Sequence, residues 1–508
     1  MADERSVRSE KVKCQTSDMN VGEPSDGRVV PMKDPNKSKA PLAEGPEGRR
    51  STKENIEQTT TLRTQSRDGV MSGLNGVREA ARKDKRCRFT ALLHHVRVEL
   101  LRESYFALKR NAASGVDEVT WRQYGENLED QLVQLHERVH RGTYRAQPSR
   151  RTYIQKEDGR ERPLGIASLE DKIVQQAIVT VLNSIYEEDF VGFSYGFRPG
   201  RGQHQALDAL WMGITRRKVG WILDGDIRGF FDMINHAWLM KFLEHRIADR
   251  RVLRLIQKWF RAGVSEEGQW SATTVGTPQG AVISPLLANI YLHYVLDLWA
   301  NQWRKVQATG DVIIVRYADD FVVGFEDRAE ATRFLKELGD RLRAFALELH
   351  PEKTRLIEFG RFASSDRWKR GEGKPETFNF LGFTHYCGKY KKSDRFVVGR
   401  KTVRKRWIAK LKAIRETLFQ RRHEPVMETG IWLKSVVQGY FNYHAVPGNL
   451  DCLDEFRTQI IRHWLAALRR RSQKSRLTWK RYRVLIDQWI PHARSMHPYP
   501  FVRFTAKI

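Results

Sequence analysis

Two adjacent aspartates, Asp319 and Asp320, stand between two short apolar runs of the chain, Val312 to Val315 and Phe321 to Phe325. The apolar runs predict two strands joined by a turn. Like charges side by side at a turn repel each other, and a shared cation removes that repulsion. A lone Asp-Asp pair is more often an ordinary exposed turn, so the pair by itself does not indicate a functional site.

A third carboxylate changes this interpretation. Asp226 ends the apolar segment that begins at Trp221, and it would lie beside the aspartate pair if the two strands were neighbours. Carboxylates gathered at a strand edge are the ligands that two Mg²⁺ ions prefer, with the ions roughly 3.5–4 Å apart. Such ions lower the pKa of an attacking 3′-hydroxyl and neutralise a departing pyrophosphate. Asp226, Asp319 and Asp320 therefore predict a two-metal Mg²⁺ site, and the absence of His or Cys beside them argues against zinc.

The elements predicted around these acids belong to a mixed fold. Residues 1–82 contain no aromatic side chain and are rich in Ser, Thr, Gly, Pro and charge, which is typical of a disordered extension. Strands and helices then alternate irregularly, which favours an α+β domain over a doubly wound sheet. Beyond residue 400 the apolar periodicity is purely helical.

The charge of the chain indicates a polyanionic partner. Lys and Arg outnumber Asp and Glu by 89 to 61, and residues 391–508 alone contain 27 basic against 8 acidic residues. No apolar run approaches the roughly 18 residues of a membrane span, so nucleic acid is favoured and no membrane partner is expected. The four widely spaced cysteines argue against a disulfide framework, and no secretory leader opens the chain. Both features favour the cytoplasm.

Seven segments resemble, in order, the motifs of reverse transcriptases. Tyr317 to Asp320 is similar to the family's YxDD box, and Asp226 to Asp232 is similar to its first catalytic motif. The other five are Lys156 with Arg162 to Ile166, Tyr195 to Arg201, Gly276 to Leu292, Leu349 to Thr354 and Phe380 to Phe383. The long box at Gly276 and the segment Gly439 to Asn449 resemble the bacterial group II intron-encoded reverse transcriptase/maturase proteins.

This resemblance implies a right-hand polymerase fold. Fingers and palm would occupy residues 83–365, and an all-helical thumb/maturase domain that binds intron RNA would occupy residues 366–468. A basic DNA-binding segment would follow at residues 469–508. No HNH endonuclease with its cysteine pairs is recognisable, so we expect no cleavage of the second target strand and priming from another 3′ end.

The resemblance also implies roles for single residues. Asp226 and Asp319 would hold both metals, with Asp320 completing the acidic edge and the main-chain carbonyl of Ile227 adding an oxygen. Further roles fall to Lys156 and Arg162 for the triphosphate of the dNTP, Phe231 against a ribose 2′-hydroxyl, Gln279 for nucleotide or template, and Lys353 as general acid. The plainer alternatives are a solvated basic hairpin for Lys156 and Arg162, a core side chain for Phe231 and a surface lysine for Lys353.

The basic helical end of the chain supplies the candidates for binding nucleic-acid backbone. Positive helix faces attract phosphate without reading sequence. The candidates lie in two runs, namely Arg404, Lys405 and Arg406, and then Arg469, Arg470, Arg471, Lys474 and Arg476.

Together these features predict an RNA-directed DNA polymerase that extends a DNA primer on an RNA template with dNTPs. We also expect it to bind its host group II intron RNA for splicing and for mobility into a DNA target site. One alternative is a domesticated reverse transcriptase of the retron-like or CRISPR-associated kind, and the segment Gly439 to Asn449 favours the intron protein over it. The other is a splicing-only RNA-binding maturase, against which the intact aspartates count.

Overall fold

The structure is a computed structural model that describes residues 14–15, 73–155, 161–266, 269–271, 276, 280–390, 394–471 and 477–503. At residues 14, 15, 155 and 162 it describes the backbone only. Most of the predicted N-terminal extension and four of the candidate site residues, Lys156, Gln279, Lys474 and Arg476, lie outside the described residues.

Thirteen strands are described. They are β1 Cys14–Gln15, β2 Arg88–Phe89, β3 Ser149–Gln155, β4 Glu161–Ile166, β5 Trp221–Asp226, β6 Val264–Glu266, β7 Gln269–Ser271, β8 Val312–Tyr317, β9 Asp320–Phe325, β10 Arg355–Glu358, β11 Phe378–Phe380, β12 Phe383–Lys389 and β13 Phe396–Thr402.

Most of the described chain is helical. The helices are α1 at 73–83, α2 Val98–Ala107, α3 Trp121–Gly125, α4 Leu128–Arg141, α5 Leu169–Asp189, α6 Gln203–Arg216, α7 Phe230–Met233, α8 His236–Glu244, α9 Arg250–Arg261, α10 Ser284–Leu292, α11 Leu298–Val306, α12 Arg328–Ala344, α13 Ala363–Lys369, α14 Arg404–Gln420, α15 Val426–His444, α16 Leu450–Arg469, α17 Trp479–Trp489 and α18 Pro500–Arg503. Short 3₁₀ turns occur at Leu93–His95 and Arg421–His423, and a π-helical turn, His293–Asp297, joins α10 to α11.

The strands form three larger sheets and the small β1–β2 pair. The central sheet has the antiparallel order β10-β5-β9-β8, and the N-terminal sheet has the order β4-β3-β6-β7, with β3 and β6 parallel. The C-terminal sheet, β11-β12-β13, is antiparallel. Helices thus accompany mainly antiparallel sheets, which confirms the α+β prediction.

The central sheet is covered on both faces because its β-branched and aromatic strands are apolar at nearly every position. Leu223 and Val323 pack into a core built with helices that include α5, α8, α10 and α12. Ile222 and Val322, on the opposite face, pack into a second core with α6 and the C-terminal sheet. Neighbouring residues of a strand point to opposite faces, so each strand supplies both cores.

Helices α14 to α17 form a helical domain at residues 404–490 with a core of its own. Leu411, Ile414 and Leu418 of α14 line this core, as their spacing predicted. Tyr482 and Ile486 of α17 pack into the same core. The predicted boundary at residue 469 therefore falls within one packed unit, because α17 needs the helices before it to bury its apolar face.

Two further predicted boundaries need correction. Helix α1 buries Leu74, Val77 and Ala81 in the first core, so the ordered domain begins before residue 83. The C-terminal sheet lies within residues 366–468, so the prediction of an all-helical segment there was wrong. Its strands are short, and β12 and β13 carry polar residues between apolar ones, which gives a weak sequence signal.

Two observations concern the membrane-spanning helices and the cysteines. In the part of the chain that the structure describes, no helix is long and apolar enough to cross a membrane. Cys387 and Cys452 are free thiols, whereas Cys87 is disulfide-bonded, a bond that the wide spacing of the cysteines did not predict.

Candidate active site

The register of the central sheet brings the acidic residues together. Asp226 at the end of β5 lies directly opposite Asp320 at the start of β9. Side chains directly opposite each other in an antiparallel pair point to the same face, with Cβ atoms about 4.5–5.5 Å apart. Asp224 precedes Asp226 by two residues and shares that face. The face is the one covered by α6 and the C-terminal sheet.

Asp319 belongs to a two-residue turn. Tyr317 pairs with Asp320, so Ala318 and Asp319 alone connect β8 to β9. Ala318 has a φ of +57°, a left-handed conformation that costs an L-residue about 1–2 kcal/mol and that tight hairpins need. The surrounding structure must therefore hold this turn in place.

The side chain of Arg316 holds this turn in place. The side chain is fully buried, and it forms a two-pronged ion pair with Asp297 at 2.6 Å for each prong. It also donates to Oδ1 of Asn289 at 3.1 Å, to the hydroxyl of Ser194 at 2.6 Å and to the carbonyl of Ala318 at 2.9 Å. These five bonds use all five N–H donors of the guanidinium. The turn that carries Asp319 is thereby tied to a buried and fully hydrogen-bonded network.

Two neighbouring structural features position the members of this hydrogen-bond network. Asn289 donates its amide N–H to the carbonyl of Gly196 at 2.7 Å. A Cβ atom on Gly196 would lie 2.3 Å from the backbone nitrogen of Ala318, so only glycine lets the two segments approach. Asp297 is the last residue of the π-helical turn, a rare element that recurs at functional sites.

Burial and neighbouring carboxylates raise the pKa values of Asp320 and Asp224. Desolvation by the surrounding protein and the charges of Asp319, Asp226 and Asp224 raise the pKa of Asp320 to about 7, although its side chain is open to solvent. Burial raises the pKa of Asp224 to about 6, against the pull of its ion pair with Arg355 at 3.3 Å. Excess negative charge on an accessible edge favours a bound cation.

Two basic side chains face this edge. The ammonium of Lys353 lies 2.6 Å from a carboxylate oxygen of Asp226, held there by a turn in which His350 donates its N–H to the carbonyl of Asp226. The guanidinium of Arg406 lowers the pKa of Asp320 and lies beside Gly382. Lys353 is thus placed at the site, and more than half of its side chain is exposed.

The donor set fits a hard divalent cation. Within the described ranges, no three His, Cys, Asp or Glu side chains form a ready-made metal cage. Mg²⁺ does not require one, because proteins bind it through one or two carboxylates together with substrate phosphates and water. The oxygens of Asp226, Asp319 and Asp320 are of the right chemical kind.

Two of the remaining predicted substrate residues, Ile227 and Phe231, lie in the segment that follows Asp226. Ile227 is buried next to Asp226, and Phe231 is half-buried against Phe230. A Cβ atom on Gly276 would lie 3.0 Å from the carbonyl of Phe231, and one on Gly280 would lie 2.9 Å from the carbonyl of Gly165. Gly276 thus lies against the segment after Asp226, and Gly280, the residue after Gln279, lies against strand β4.

Arg162 also lies on β4, where its backbone pairs with Ile154. Its side chain lies outside what the structure describes.

The two basic runs differ in their surroundings. Arg404, Lys405 and Arg406 form the exposed first turn of α14. Arg469 and Arg470 are exposed at the end of α16. Arg471 instead donates to the carbonyls of His423 and Glu424, at 3.3 and 2.6 Å, which fixes the loop between α14 and α15. These bonds use only Nη2 of Arg471, so its role in binding nucleic acid stays a prediction.

Sequence analysis missed Asp224 and the Arg316 network. A signal for Asp224 was present, because strand periodicity places it on the face of Asp226. The network offered none, since Ser194 and Arg316 are separated by 122 positions and nothing local marks them as partners.

Comparison with known proteins gives a consistent picture. Residues 154–385 match the sequence profile of a family described as "Reverse transcriptase (RNA-dependent DNA polymerase)". The chain is 35% identical over 274 residues to Protein YkfC of Escherichia coli, covering 48% of this chain and 71% of that protein.

Two other relatives are intron proteins. Group II intron-encoded protein LtrA of Lactococcus lactis is 43% identical over 178 residues, which are 34% of this chain and 29% of LtrA. A 91 kDa protein in the cob intron of Schizosaccharomyces pombe is 34% identical over 226 residues, 44% of this chain and 28% of that protein. This chain thus spans less than a third of either.

Proposed function

This chain belongs to the reverse transcriptase family, on its group II intron-encoded branch, and we propose that it is an RNA-directed DNA polymerase that also binds its host intron RNA to promote splicing and mobility. The observation that carries the proposal is the pairing of Asp226 with Asp320 beside the turn of Asp319. Nucleotidyl transfer needs carboxylates at one accessible edge.

In this proposal the carboxylates of Asp226, Asp319 and Asp320 hold two Mg²⁺ ions, with the carbonyl of Ile227 as an added ligand. The bound ions would lower the pKa of the primer 3′-hydroxyl and neutralise charge on the triphosphate. Lys353, whose ammonium lies beside Asp226, would protonate the departing pyrophosphate. Phe231, five residues after Asp226 in the sequence, would favour dNTPs by crowding a 2′-hydroxyl.

The N-terminal and central sheets would then correspond to fingers and palm. Lys156 and Arg162 would grip the triphosphate, and Gln279 would contact the nucleotide or the template, because the adjoining Gly280 lies against β4. The C-terminal sheet and the helical domain would correspond to the thumb and maturase region. A DNA primer would pass between the central sheet and α14.

The surroundings of Arg406 support this path for the primer. Arg406 lies beside Gly382, and the neighbouring Leu381 carbonyl accepts a 2.8 Å hydrogen bond from Tyr443 of the segment Gly439 to Asn449. An exposed guanidinium close to the carboxylates is suited to a phosphate of the primer backbone. Arg404, Lys405, Arg469 and Arg470 would extend the contact to intron RNA and to the DNA target site.

Asp319→Ala tests the proposal. We expect it to abolish dNTP incorporation on an RNA template with Mg²⁺, because it removes a ligand at the metal edge. Assistance to intron splicing should survive, since the basic helical surfaces lie elsewhere. Asp340→Ala, at an exposed acid on α12, is the control and should retain both activities. A wild-type protein that incorporates no dNTP would refute the polymerase, and loss of splicing in a folded Asp319→Ala protein would refute separate sites.

A further inference from the structure

Helix α9 carries an unusual distribution of charge. Of its twelve residues, Arg250, Arg251, Arg254, Lys258 and Arg261 are basic, and none is acidic. The apolar face is fully used, because Val252, Leu255, Ile256 and Trp259 are buried in the first core. The basic face therefore points outward and cannot be needed for packing.

The arginines of this face follow one line along the helix. Positions 250, 254 and 261 are separated by four and seven residues, so their side chains lie above one another about 5–6 Å apart per turn. The line is about 16 Å long at 1.5 Å per residue. Arg145, in the loop after α4, joins the same surface, because Lys258 of α9 donates to the carbonyl of the preceding residue, Tyr144. Burial lowers the pKa of Lys258, and the charges of Arg254 and Arg145 lower it further.

Arg145, Arg250, Arg254 and Arg261 together form what we call the arginine ridge. All four are exposed. Among the residues that the structure describes, none of their guanidinium groups forms an ion pair or hydrogen bond. Their neighbours differ, because Arg251 pairs with Asp249 and Lys258 donates to the carbonyls of Gly142 and Tyr144. The ridge thus concentrates positive charge that the fold leaves uncompensated.

We propose that the arginine ridge binds the phosphate backbone of a double-helical segment of RNA, outside the polymerase site. The inference rests on the proposed function, because intron RNA is the folded RNA such a protein meets. Guanidinium groups are suited to phosphate, and duplex RNA is recognised through its shape and backbone. The ridge is separate from the catalytic edge, since the basic groups that face the carboxylates are Lys353, Arg355 and Arg406.

The composition of the ridge disfavours other partners. Single strands are held largely by stacking on exposed aromatic rings, and the exposed residues of α9 are all arginines. Attachment to a membrane surface needs apolar side chains to enter the lipid, and α9 buries all of its own.

The test is a fourfold variant, R145Q/R250Q/R254Q/R261Q. The matched control is R328Q/R333Q/K336Q/R343Q, which removes the same four charges from exposed positions of α12, where acids stand among them. Each full-length protein is titrated with a blunt RNA duplex of arbitrary sequence at several salt concentrations. The same preparations are assayed for extension of a short primer on an RNA template.

We expect the ridge variant to bind the RNA duplex roughly tenfold or more weakly. The slope of its log affinity against log salt concentration should fall by an amount that corresponds to the loss of up to about four phosphate contacts. The control should bind like the wild type, and primer extension should persist in both. Unchanged RNA binding in the ridge variant would overturn the proposal while leaving the polymerase intact. If the wild-type protein does not extend the primer, the proposed polymerase activity is refuted, and the RNA titration still tests the arginine ridge.

Two further binding experiments distinguish RNA from DNA and from a membrane surface. An equal loss of affinity for a DNA duplex of the same sequence would overturn the assignment to RNA. Loss of binding to vesicles of phosphatidylcholine and phosphatidylserine in equal parts, with RNA binding retained, would replace RNA by a membrane surface. If the fourfold variant does not fold, the pair R254Q/R261Q is tested with the same expected direction.

Discussion

At the scale of single residues, the position of the Asp319 turn depends on the fully buried side chain of Arg316. Arg316 holds the carbonyl of Ala318 while its charge is balanced by Asp297. Removing one member of a buried ion pair costs about 3–5 kcal/mol, because the other charge stays buried and unpaired. Replacing both members by apolar residues of similar volume is often close to neutral. These two facts allow stability and positioning to be separated.

Arg316→Met should lower the free energy of unfolding by about 3–5 kcal/mol and also abolish primer extension. In the double variant Arg316→Met/Asp297→Leu, stability should largely return, because no uncompensated charge is left. Activity should stay low, because the carbonyl of Ala318 has still lost its donor. Denaturant unfolding and primer extension measured on the same proteins check this. Recovery of both properties together would mean that Arg316 only stabilises the fold.

At the scale of elements, the distance between β5 and β9 is set by Gly225. It lies opposite Phe321, whose ring occupies the space that a side chain would need: a Cβ atom on Gly225 would lie 2.2 Å from a ring carbon. The glycine therefore allows the ring to cover β5 at the position between Asp224 and Asp226, on the face opposite their carboxylates.

Gly225→Ala should push the two strands apart. We expect a loss of about 1–3 kcal/mol from overpacking, together with a fall in primer extension as Asp226 and Asp320 separate. Gly439→Ala is the control, because nothing lies within 4 Å of its Cβ position in α15 and alanine should stabilise that helix by about 0.5–1 kcal/mol. Full activity in a destabilised Gly225→Ala protein would show that the strand spacing tolerates the change.

The elements also show what could be predicted from sequence. Strands β5, β8 and β9 carry strong apolar patterns and were predicted close to their observed bounds. Helix α14 lies in the stretch beyond residue 400 that was predicted to be helical. If β5 and β9 are neighbours, these patterns place Asp226 beside Asp320. The C-terminal sheet was missed because short strands with polar residues give little periodic signal. The Arg316 network was missed because buried polar partners are chosen by the tertiary fold.

At the scale of the whole molecule, residues 491–503 act as a strap from the helical domain back to α6. His497 stacks on His204 with ring centres 3.7 Å apart, and its imidazole contacts the carbonyl of Asn442 at 2.7 Å. Arg503 pairs with the buried Asp208 at 3.1 Å. The strap thus connects the helical domain to a helix that covers the face of the central sheet on which Asp226 and Asp320 lie.

Arg503→Met should release the strap. We expect a loss of about 1–2 kcal/mol, smaller than for a fully buried pair because Arg503 is a quarter exposed and Asp208 keeps Arg400. Hydrogen exchange should become faster in residues 491–503 and at α6, while α14 and α16 keep their protection. Arg494→Met, at an exposed position of the same segment, should leave the exchange unchanged. Unaltered protection at α6 would show that the strap does not restrain it.

The two ion pairs of Asp208 can form only in a fixed order during synthesis of the chain. Arg400 follows Asp208 by 192 positions, and Arg503 lies close to the end of the sequence. Because a ribosome delivers residues at about 5–20 per second, the buried carboxylate waits about ten seconds or more for its first guanidinium and longer for its second. Helix α6 therefore completes its environment only after translation has passed residue 503, and a nascent chain stopped earlier carries an unfinished polymerase face.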